Sequence, residues 1–343
     1  MRRDNAAMTD SRRLVLASRP SGMCDDTTVR LETVPVPEPA EGEAVVRVQW
    51  LSIDPTIRTW MDDAPGYLPP IELGAVVRSG GIGQVVSSKN ADYPVGATVF
   101  GMLGWQDHAV VGGDEASAQV VPDGVEATAA LSVFGATGMT AYFGLLDIGQ
   151  PKPGDTVVVS GAAGATGSVV GQIAKIKGAA NVVGLAGTDE KCAWLVDELG
   201  FDAAVNYKTE NVAKRLHELC PDGIDVYFDN VGGAILDICL GQLAMKGRIV
   251  CCGAISAYND RESSPGLKNY FNLIIKRARM EGFLILDYLD RFPEAQGDML
   301  GWVLEGKVKH AVHVVDGLEE APNALNLLFT GGNTGKVIVK LDA

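Results

Sequence analysis

Apolar positions along the chain follow two successive patterns. Through residues 30–127, short apolar runs are separated by Gly, Pro and Asp: EAVVRVQWLSID (43–54), GIGQVV (81–86), TVFGMLGWQDHAVV (98–111) and AQVVP (118–122). Runs of this length and punctuation predict β-strands joined by turns. VPVPEPAEGE (34–43) is proline-rich and reads as a connector without a strand. From about Ser132 the pattern changes. FGATGMTAYFGLLDIG (134–149) predicts a helix, and KPGDTVVVSG (152–161) a turn and then a buried strand. Strand-like TVVVS, NVVGLAG, AAVNY, IDVYFDN, RIVCCG and MEGFLILDY then alternate with helix-like SVVGQIAKIKG, DEKCAWLVDELG, NVAKRLHELC and ILDICLGQLAMKG. Such alternation predicts an α/β fold, a doubly wound parallel sheet with helices on both faces. The last stretch, 317–343, holds one helix and the strand KVIVKL, which continue neither end of the α/β unit. The chain is therefore expected to return to the first domain.

A length of 343 residues accommodates two domains with buried cores, and 47% hydrophobic with 21% charged residues is an ordinary globular composition. No run reaches the roughly 18–20 apolar residues of a membrane span. The opening MRRDNAAMTDSRR is charged and has no apolar core, so it does not read as a secretory signal. It reads as a frayed tail or as an overextended start, with Met8 the true first residue. A formal net charge of −14 argues against a nucleic-acid partner. Six cysteines (Cys24, Cys192, Cys220, Cys239, Cys251, Cys252) show no C-x-x-C spacing, which points to reduced thiols and a cytoplasmic protein.

Candidate chemistry begins at GAAGATG (161–167), between a buried strand and a helix. A dinucleotide site needs a tight turn, close backbone approach to the pyrophosphate and a helix N-terminus aimed at it. Gly164 and Gly167 supply the middle and last glycines of G-x-G-x-x-G, while Ala162 stands where the first is wanted. Ala162 and Ala163 are small enough to keep the turn narrow, and Gly171 extends a small face along the helix. About twenty residues on, an NAD site carries an acidic residue at the end of the second strand. Here that strand ends in Gly187 and Thr188, and Asp189 and Glu190 follow, where they favour the positive end of the next helix. Lys191 either delivers charge to a 2′-phosphate or is a solvated first-turn lysine; the reading adopted is NADP(H).

The blocks GMTAYFGLLDIG (138–149), AAGATGSVVGQIAKIKG (162–178), AGTDEK (186–191), NYKT (206–209), YFDNVGG (227–233), GRIVCCGAISAYN (247–259), WVLEGKV (302–308) and GGNTGKVIVK (331–340) carry a resemblance. In this order they resemble the zinc-independent medium-chain dehydrogenase/reductases, in the branch of leukotriene B4 dehydrogenase/prostaglandin reductases, alkenal double-bond reductases and curcumin-reductase-like enzymes. The match runs from about residue 45 and is weakest at the N-terminus and around Tyr67 to Ile71. It implies a GroES-like β-rich substrate domain, residues 1–132 and 310–343, and a Rossmann NADP(H)-binding domain, residues 133–309. It implies that Gly164, Ala165, Thr166 and Gly167 meet the pyrophosphate, with Thr188 following at the end of the second strand. Lys191 and Tyr207 would meet the 2′-phosphate. Asn230, Cys252, Gly253, Ala254, Ile255, Ser256 and Tyr258 would line the cofactor. Phe283, Leu284 and Ile285 would cradle the nicotinamide, and Asn333 would reach it from the returning segment. A homodimer through the Rossmann sheet edge is also implied.

Zinc members of the wider superfamily place Cys and His ligands early in the chain. LSIDPTIRTW (51–60) carries neither, and His108 is the only histidine of residues 1–132, whereas tetrahedral zinc needs three or four ligands. No metal is expected. Without such a Lewis acid, alcohol oxidation fits less well than reduction of a C=C bond conjugated to a carbonyl, which needs a hydride and a hydrogen-bond donor for the enolate oxygen. Tyr258 is the candidate donor, since an unperturbed phenol of pKa near ~10 stays protonated at neutral pH; the alternative is a loop aromatic that only packs or binds cofactor. Substrate walls are expected from Tyr67, from Phe100 to Gln106 with Trp105, and from the loop Tyr258 to Tyr270. Trp105 and Met102 fit pocket and core equally. The expected activity is NADPH-dependent reduction of α,β-unsaturated ketones and aldehydes, with two alternatives: quinone reduction, and a non-catalytic NADPH-binding sensor or scaffold.

Overall fold

The computed structural model describes residues 10–113, 118–122, 124–260 and 266–341. The start-site reading at residues 1–7 and Met8, and residues 261–265 of the candidate substrate loop, lie outside the described residues. Contacts divide the chain into two units, residues 1–131, 314–330 and 337–343 in one and 132–313 and 331–336 in the other.

In the first unit β1 (Asp10–Leu16) and β2 (Val29–Pro35) form an antiparallel pair, Leu14 opposite Leu31. Val34 and Pro35, expected in a connector, end β2 opposite Ser11 and Asp10. A terminal position on a two-stranded sheet tolerates a proline that cannot donate to the ladder. Next come β3 (Glu43–Ile53), α1 (Thr56–Trp60), β4 (Gly81–Ser88), β5 (Thr98–Gly101), β6 (His108–Gly112), β7 (Ala118–Val120) and α2 (Ala127–Leu131). The long β3 pairs antiparallel with both β4 and β6, and is buried along most of its length because it is central. Leu14, Leu16, Val46, Val48, Leu51, Ile53, Met61 and Trp105 belong to one core.

The second unit opens with α3 (Ala136–Phe143), which widens into a π-helical turn over Gly144–Gly149. There follow β8 (Thr156–Val159), α4 (Ala165–Ile176), β9 (Asn181–Ala186), α5 (Asp189–Asp197), β10 (Ala203–Asn206), α6 (Val212–Leu219), β11 (Ile224–Asp229), α7 (Gly233–Gly241), β12 (Leu243–Cys251), α8 (Asn272–Ile275), β13 (Arg279–Gly282) and α9 (Phe292–Leu304). The strands form one parallel sheet in the order β10-β9-β8-β11-β12-β13. This is the Rossmann order, whose direction of winding reverses beside β8 and leaves a crevice at the strands' carboxyl ends. Val157, Val158 and Val159 are wholly buried at the sheet centre.

Two stretches depart from their expected states. LAMKG (243–247), expected as helix, opens β12, because Leu243 pairs with Ile224 and the strand bends through Lys246 at φ 62° before resuming at Arg248. Pairing with β11 overrides the helical preference of Leu, Ala, Met and Lys. FLILDY (283–288), expected as strand, leaves the sheet after Gly282, and Ile285–Arg291 winds into a 3₁₀ helix. Phe283 turns its ring onto Gly144, where an added Cβ would lie 2.4 Å from the ring. Downstream, β14 (Val312–Asp316), α10 (Ala321–Thr330) and β15 (Lys336–Lys340) complete the chain, with β15 antiparallel to β3.

Helix α4 lies close to the sheet because Gly171 leaves room for Phe201: an added Cβ would stand 1.9 Å from that ring. Gly171→Ala should therefore overpack the second unit and destabilise it by about 1–3 kcal/mol. Urea unfolding followed by circular dichroism should give a lower midpoint, partly restored by Phe201→Leu in the same chain.

Candidate cofactor and active site

The turn after β8 explains how GAAGATG works without its first glycine. Positive φ is required one residue earlier, at Gly161 (57°), while Ala162 is not among the residues with positive φ. Ala162 is fully buried, and its N–H donates to the Leu185 carbonyl at 3.0 Å. Its methyl group has space because β9 carries Gly184 opposite, where an added Cβ would stand 3.0 Å from that of Ala162. Gly167 is irreplaceable for a different reason: a Cβ there would meet the Gly161 carbonyl oxygen at 2.4 Å.

Gly164 caps α4 in extended conformation with no side-chain hydrogen bond, and the first backbone bond back to it comes from Ser168. The first-turn N–H groups of Ala165, Thr166 and Gly167 therefore point out of the helix end uncapped, as an anion site requires. The returning segment 331–336 closes on this loop. Gly335 donates to the Ala163 carbonyl at 2.8 Å, Gly164 bridges to Gly335, and the buried Asn333 amide donates to the Gly335 carbonyl at 2.9 Å.

At the end of β9 the acidic residues are engaged elsewhere. Asp189 lies in the first turn of α5 and accepts from the Asn206 side chain at 2.7 Å, and Thr188 caps the helix by accepting the Lys191 N–H. The Tyr207 hydroxyl lies over Gly187, where an added Cβ would meet it at 2.8 Å and the Lys208 side chain at 3.3 Å. Lys191 donates its ammonium to the Gly331 carbonyl at 2.8 Å. Burial, and secondarily the neighbouring charge of Lys208, lower its pKa. Neither lysine joins an ion pair among the described residues. The two ammonium groups thus lie within electrostatic reach of each other with no carboxylate paired to either among the described residues.

Beyond β11 and β12 the organising group is Asp229, 2% exposed. One carboxylate oxygen accepts from the Tyr227 hydroxyl (2.7 Å), the Ser160 hydroxyl (3.1 Å) and the Val231 and Gly232 N–H groups (3.0 and 2.9 Å). Its carbonyl accepts from Cys252 and Gly253. Burial pushes the carboxyl pKa up while these donors oppose the shift. Asn230 donates its amide to the Ser160 carbonyl at 2.7 Å. Burial raises the Cys252 thiol to about 12, so it stays protonated at neutral pH.

Ile255–Ala257 form a 3₁₀ turn, held to the neighbouring loop by Ile255 N–H on the Asn230 carbonyl and by Ser256, which donates through backbone and hydroxyl to the Val231 carbonyl. Tyr258 ends this turn and folds back, its hydroxyl accepting the Ala254 N–H at 3.2 Å. Phe283 packs on the π-helical turn and edge-on to Tyr288, whereas Leu284 is exposed and extended and Ile285 half-buried.

In the first unit Tyr67 is half-exposed, its hydroxyl bonded to that of Thr56 and its ring edge-on to Trp60 at 6.2 Å. Trp105, which by sequence fits pocket and core equally, is packed as core. It is fully buried in the core of the first unit, and a side chain without accessible surface lines no open cleft there. In the same segment Met102 is the exposed side chain. Among the described residues no group of three or more His, Cys, Asp or Glu is arranged to hold a metal ion. Lys208, Ser160 and Asp229 were not singled out from the sequence. The signals available were a second lysine directly after Tyr207 and an acidic residue ending the apolar run VYFD.

Two family profiles match, one described as the N-terminal domain of oxidoreductase over residues 12–120 and one as zinc-binding dehydrogenase over 165–300. The chain is 42% identical over 336 residues to the NADPH-dependent curcumin reductase of Escherichia coli (strain K12), covering 96% of this chain and 97% of that protein. It is 40% identical over 316 residues to the 2-alkenal reductase (NADP(+)-dependent) of Nicotiana tabacum, covering 92% and 90%. The crystal structure of CurA in complex with NADPH from Vibrio vulnificus superposes with a TM-score of 0.91 at 42% identity, covering 97% and 99%. This chain belongs to the zinc-independent medium-chain dehydrogenase/reductases, in their enone/alkenal reductase branch.

Lys191→Ala and Lys208→Ala should each weaken binding of adenosine 2′,5′-bisphosphate by about tenfold or more, the scale of a hydrogen bond to a charged group. Calorimetry should show adenosine 5′-monophosphate binding little changed by either substitution.

Proposed function

We propose that this protein is an NADPH-dependent oxidoreductase that reduces the C=C bond of α,β-unsaturated ketones and aldehydes without a metal. The observation that carries the cofactor choice is the cation pair Lys191 and Lys208 beside Tyr207, where an NAD site needs a carboxylate. Relatives named for curcumin and 2-alkenal reduction, similar along nearly the whole chain, support the reaction class. The residues present fit the cofactor: an uncapped α4 N-terminus for the pyrophosphate, a cationic pocket for the 2′-phosphate and a floor of Asn230 and Cys252–Tyr258. Gly164 to Gly167, Thr188, Phe283 to Ile285 and Asn333 complete the proposed binding set. On this reading the second unit is the NADP(H)-binding domain and the first the GroES-like substrate domain.

Bound NADPH supplies the hydride that adds to the β-carbon of the substrate. The chain's own task is to hold that substrate and to stabilise charge gathering on its carbonyl oxygen. Tyr258 does this by hydrogen bonding through its phenol, oriented by the Ala254 N–H. Tyr67, on the substrate side, offers half its surface. The acidic chain, with scattered cysteines and no helix among the described residues long and apolar enough to cross a membrane, is read as cytoplasmic.

β13 is the outermost strand of the parallel sheet and is exposed throughout, with Met280, Leu286, Leu289, Ile274 and Ile275 also exposed nearby. An open strand edge flanked by exposed apolar side chains favours pairing with a second copy, and two-fold pairing closes it. The protein is read as a homodimer through β13.

NADPH oxidation with 3-nonen-2-one should exceed NADH oxidation strongly, and equal use of both would overturn the lysine argument. Turnover of the enone should exceed that of benzoquinone; the reverse order would favour quinone reduction, and no turnover of either a non-catalytic role. Tyr258→Phe should lower kcat by about 100-fold, the scale of one lost oxyanion donor. For assembly, light scattering should give twice the chain mass for the native protein, and one chain mass for Met280→Asp with Leu289→Asp.

A further inference from the structure

Arg78 is the cation in the first unit whose surroundings most resemble half of a binding site. Its backbone is fixed on both sides: Val77 donates to Leu14 and accepts from Trp105, and the carbonyls of Ser79 and Gly80 accept from Gly104 and Ser52. Val77 and Ser79 are fully buried, so the half-buried Arg78 side chain leaves a rigid frame. One terminal nitrogen donates to the Pro69 carbonyl at 3.0 Å, and the guanidinium carbon lies 5.5 Å from the centre of the Trp60 ring. Tyr67 meets that same indole edge-on, and its phenol lies within electrostatic reach of Arg78.

What this cation lacks is a counter-charge. Arg12, Arg13, Arg19, Arg30 and Arg58, all in the same unit, each pair with a carboxylate; Arg47 of β3 pairs with none either, but its Nε is buried and offers no open fork to a ligand. Among the described residues Arg78 pairs with none, in a chain carrying 43 acidic against 29 basic residues. Its partial burial disfavours the charged form, and the shift is downward. A guanidinium offers five donors in a planar fork that matches a carboxylate, and a ring beneath it keeps that fork in one plane. Pro69 occupies one donor.

Resting on the enone-reductase reading with Tyr67 on the substrate side, the geometry points to Arg78 as a specificity-determining residue that pairs with a carboxylate borne by the substrate. The preferred class is then an enone or enal whose chain carries a carboxylate away from the reacting bond, its apolar part running over Trp60 and Tyr67. Arginine packed on tryptophan for structure alone is the competing account, and it predicts no preference for acids.

The test compares 8-oxonon-6-enoic acid with its methyl ester, which share one enone and differ in charge. Native enzyme with NADPH should favour the acid at least tenfold in kcat/KM, mainly through KM, and added salt should narrow the ratio. Arg78→Met should bring the acid-to-ester ratio close to one, and Arg78→Lys should retain part of it. A ratio near one in the native enzyme, or one unchanged in Arg78→Met, overturns the assignment. Calorimetry with 8-oxononanoate, which needs no turnover, separates the two readings. Binding by native protein that Arg78→Met abolishes, without NADPH oxidation on either enone, keeps the Arg78 site and removes the reductase reading. Turnover of both enones with equal binding of 8-oxononanoate to native protein and Arg78→Met removes the Arg78 site and keeps the reductase.

Discussion

The site in the second unit depends on one buried carboxylate. Asp229 takes four donors on a single oxygen and two more on its carbonyl, so the ends of β8, β11 and β12 are tied to one point. Those donors offset part of the cost of burying its charge, and burial still holds its pKa above the usual carboxylate value. Because four of those donors, Val231, Gly232, Cys252 and Gly253, are backbone N–H groups of the loops that follow, Asp229 also sets the course of those loops. Asn230, Cys252 and the turn leading to Tyr258 are held through it, directly or at one remove. Truncating it would leave several buried donors unpaired at once.

The other end of the site is built on the opposite principle. Where Asp229 satisfies many donors, Lys191 and Lys208 share a region in which no carboxylate answers them. Charge left uncompensated in a folded chain costs stability, and it is tolerated where a ligand carries the missing sign. On the proposed reading, discrimination between cofactors follows from which anion completes the arrangement. The acidic residues of the same helix are occupied with Asn206 and with the helix terminus, so they do not compete.

Much of the fold was legible because strand and helix periods alternate cleanly from Ser132 onward, and the Rossmann order of β8–β13 follows. Two features were not. LAMKG looks helical in isolation and becomes strand only through pairing with Ile224, a contact nineteen positions away that no local window contains. Phe283 ends a strand-like run because Gly144, far back in the chain, leaves a space for its ring. At the site, the glycine positions were readable but the reason Ala162 is tolerated was not, since that reason is Gly184 on the neighbouring strand. Trp105 shows the converse: an aromatic among candidate wall residues is legible, while its complete burial is a property of the packed core. Lys208 stands out in no local pattern; it comes near Lys191 because β10 pairs with β9, a tertiary contact.

The clasp between residues 331–336 and the phosphate loop bears on when the protein becomes competent during synthesis. Gly331 and Gly335, which reach Lys191 and Ala163, follow every strand of the parallel sheet in chain order. While the chain is still emerging, the central sheet has all its strands, yet its anion end stands open on one side. A ribosome stalled in α10 would have made every strand of the parallel sheet but not the clasp on its phosphate loop.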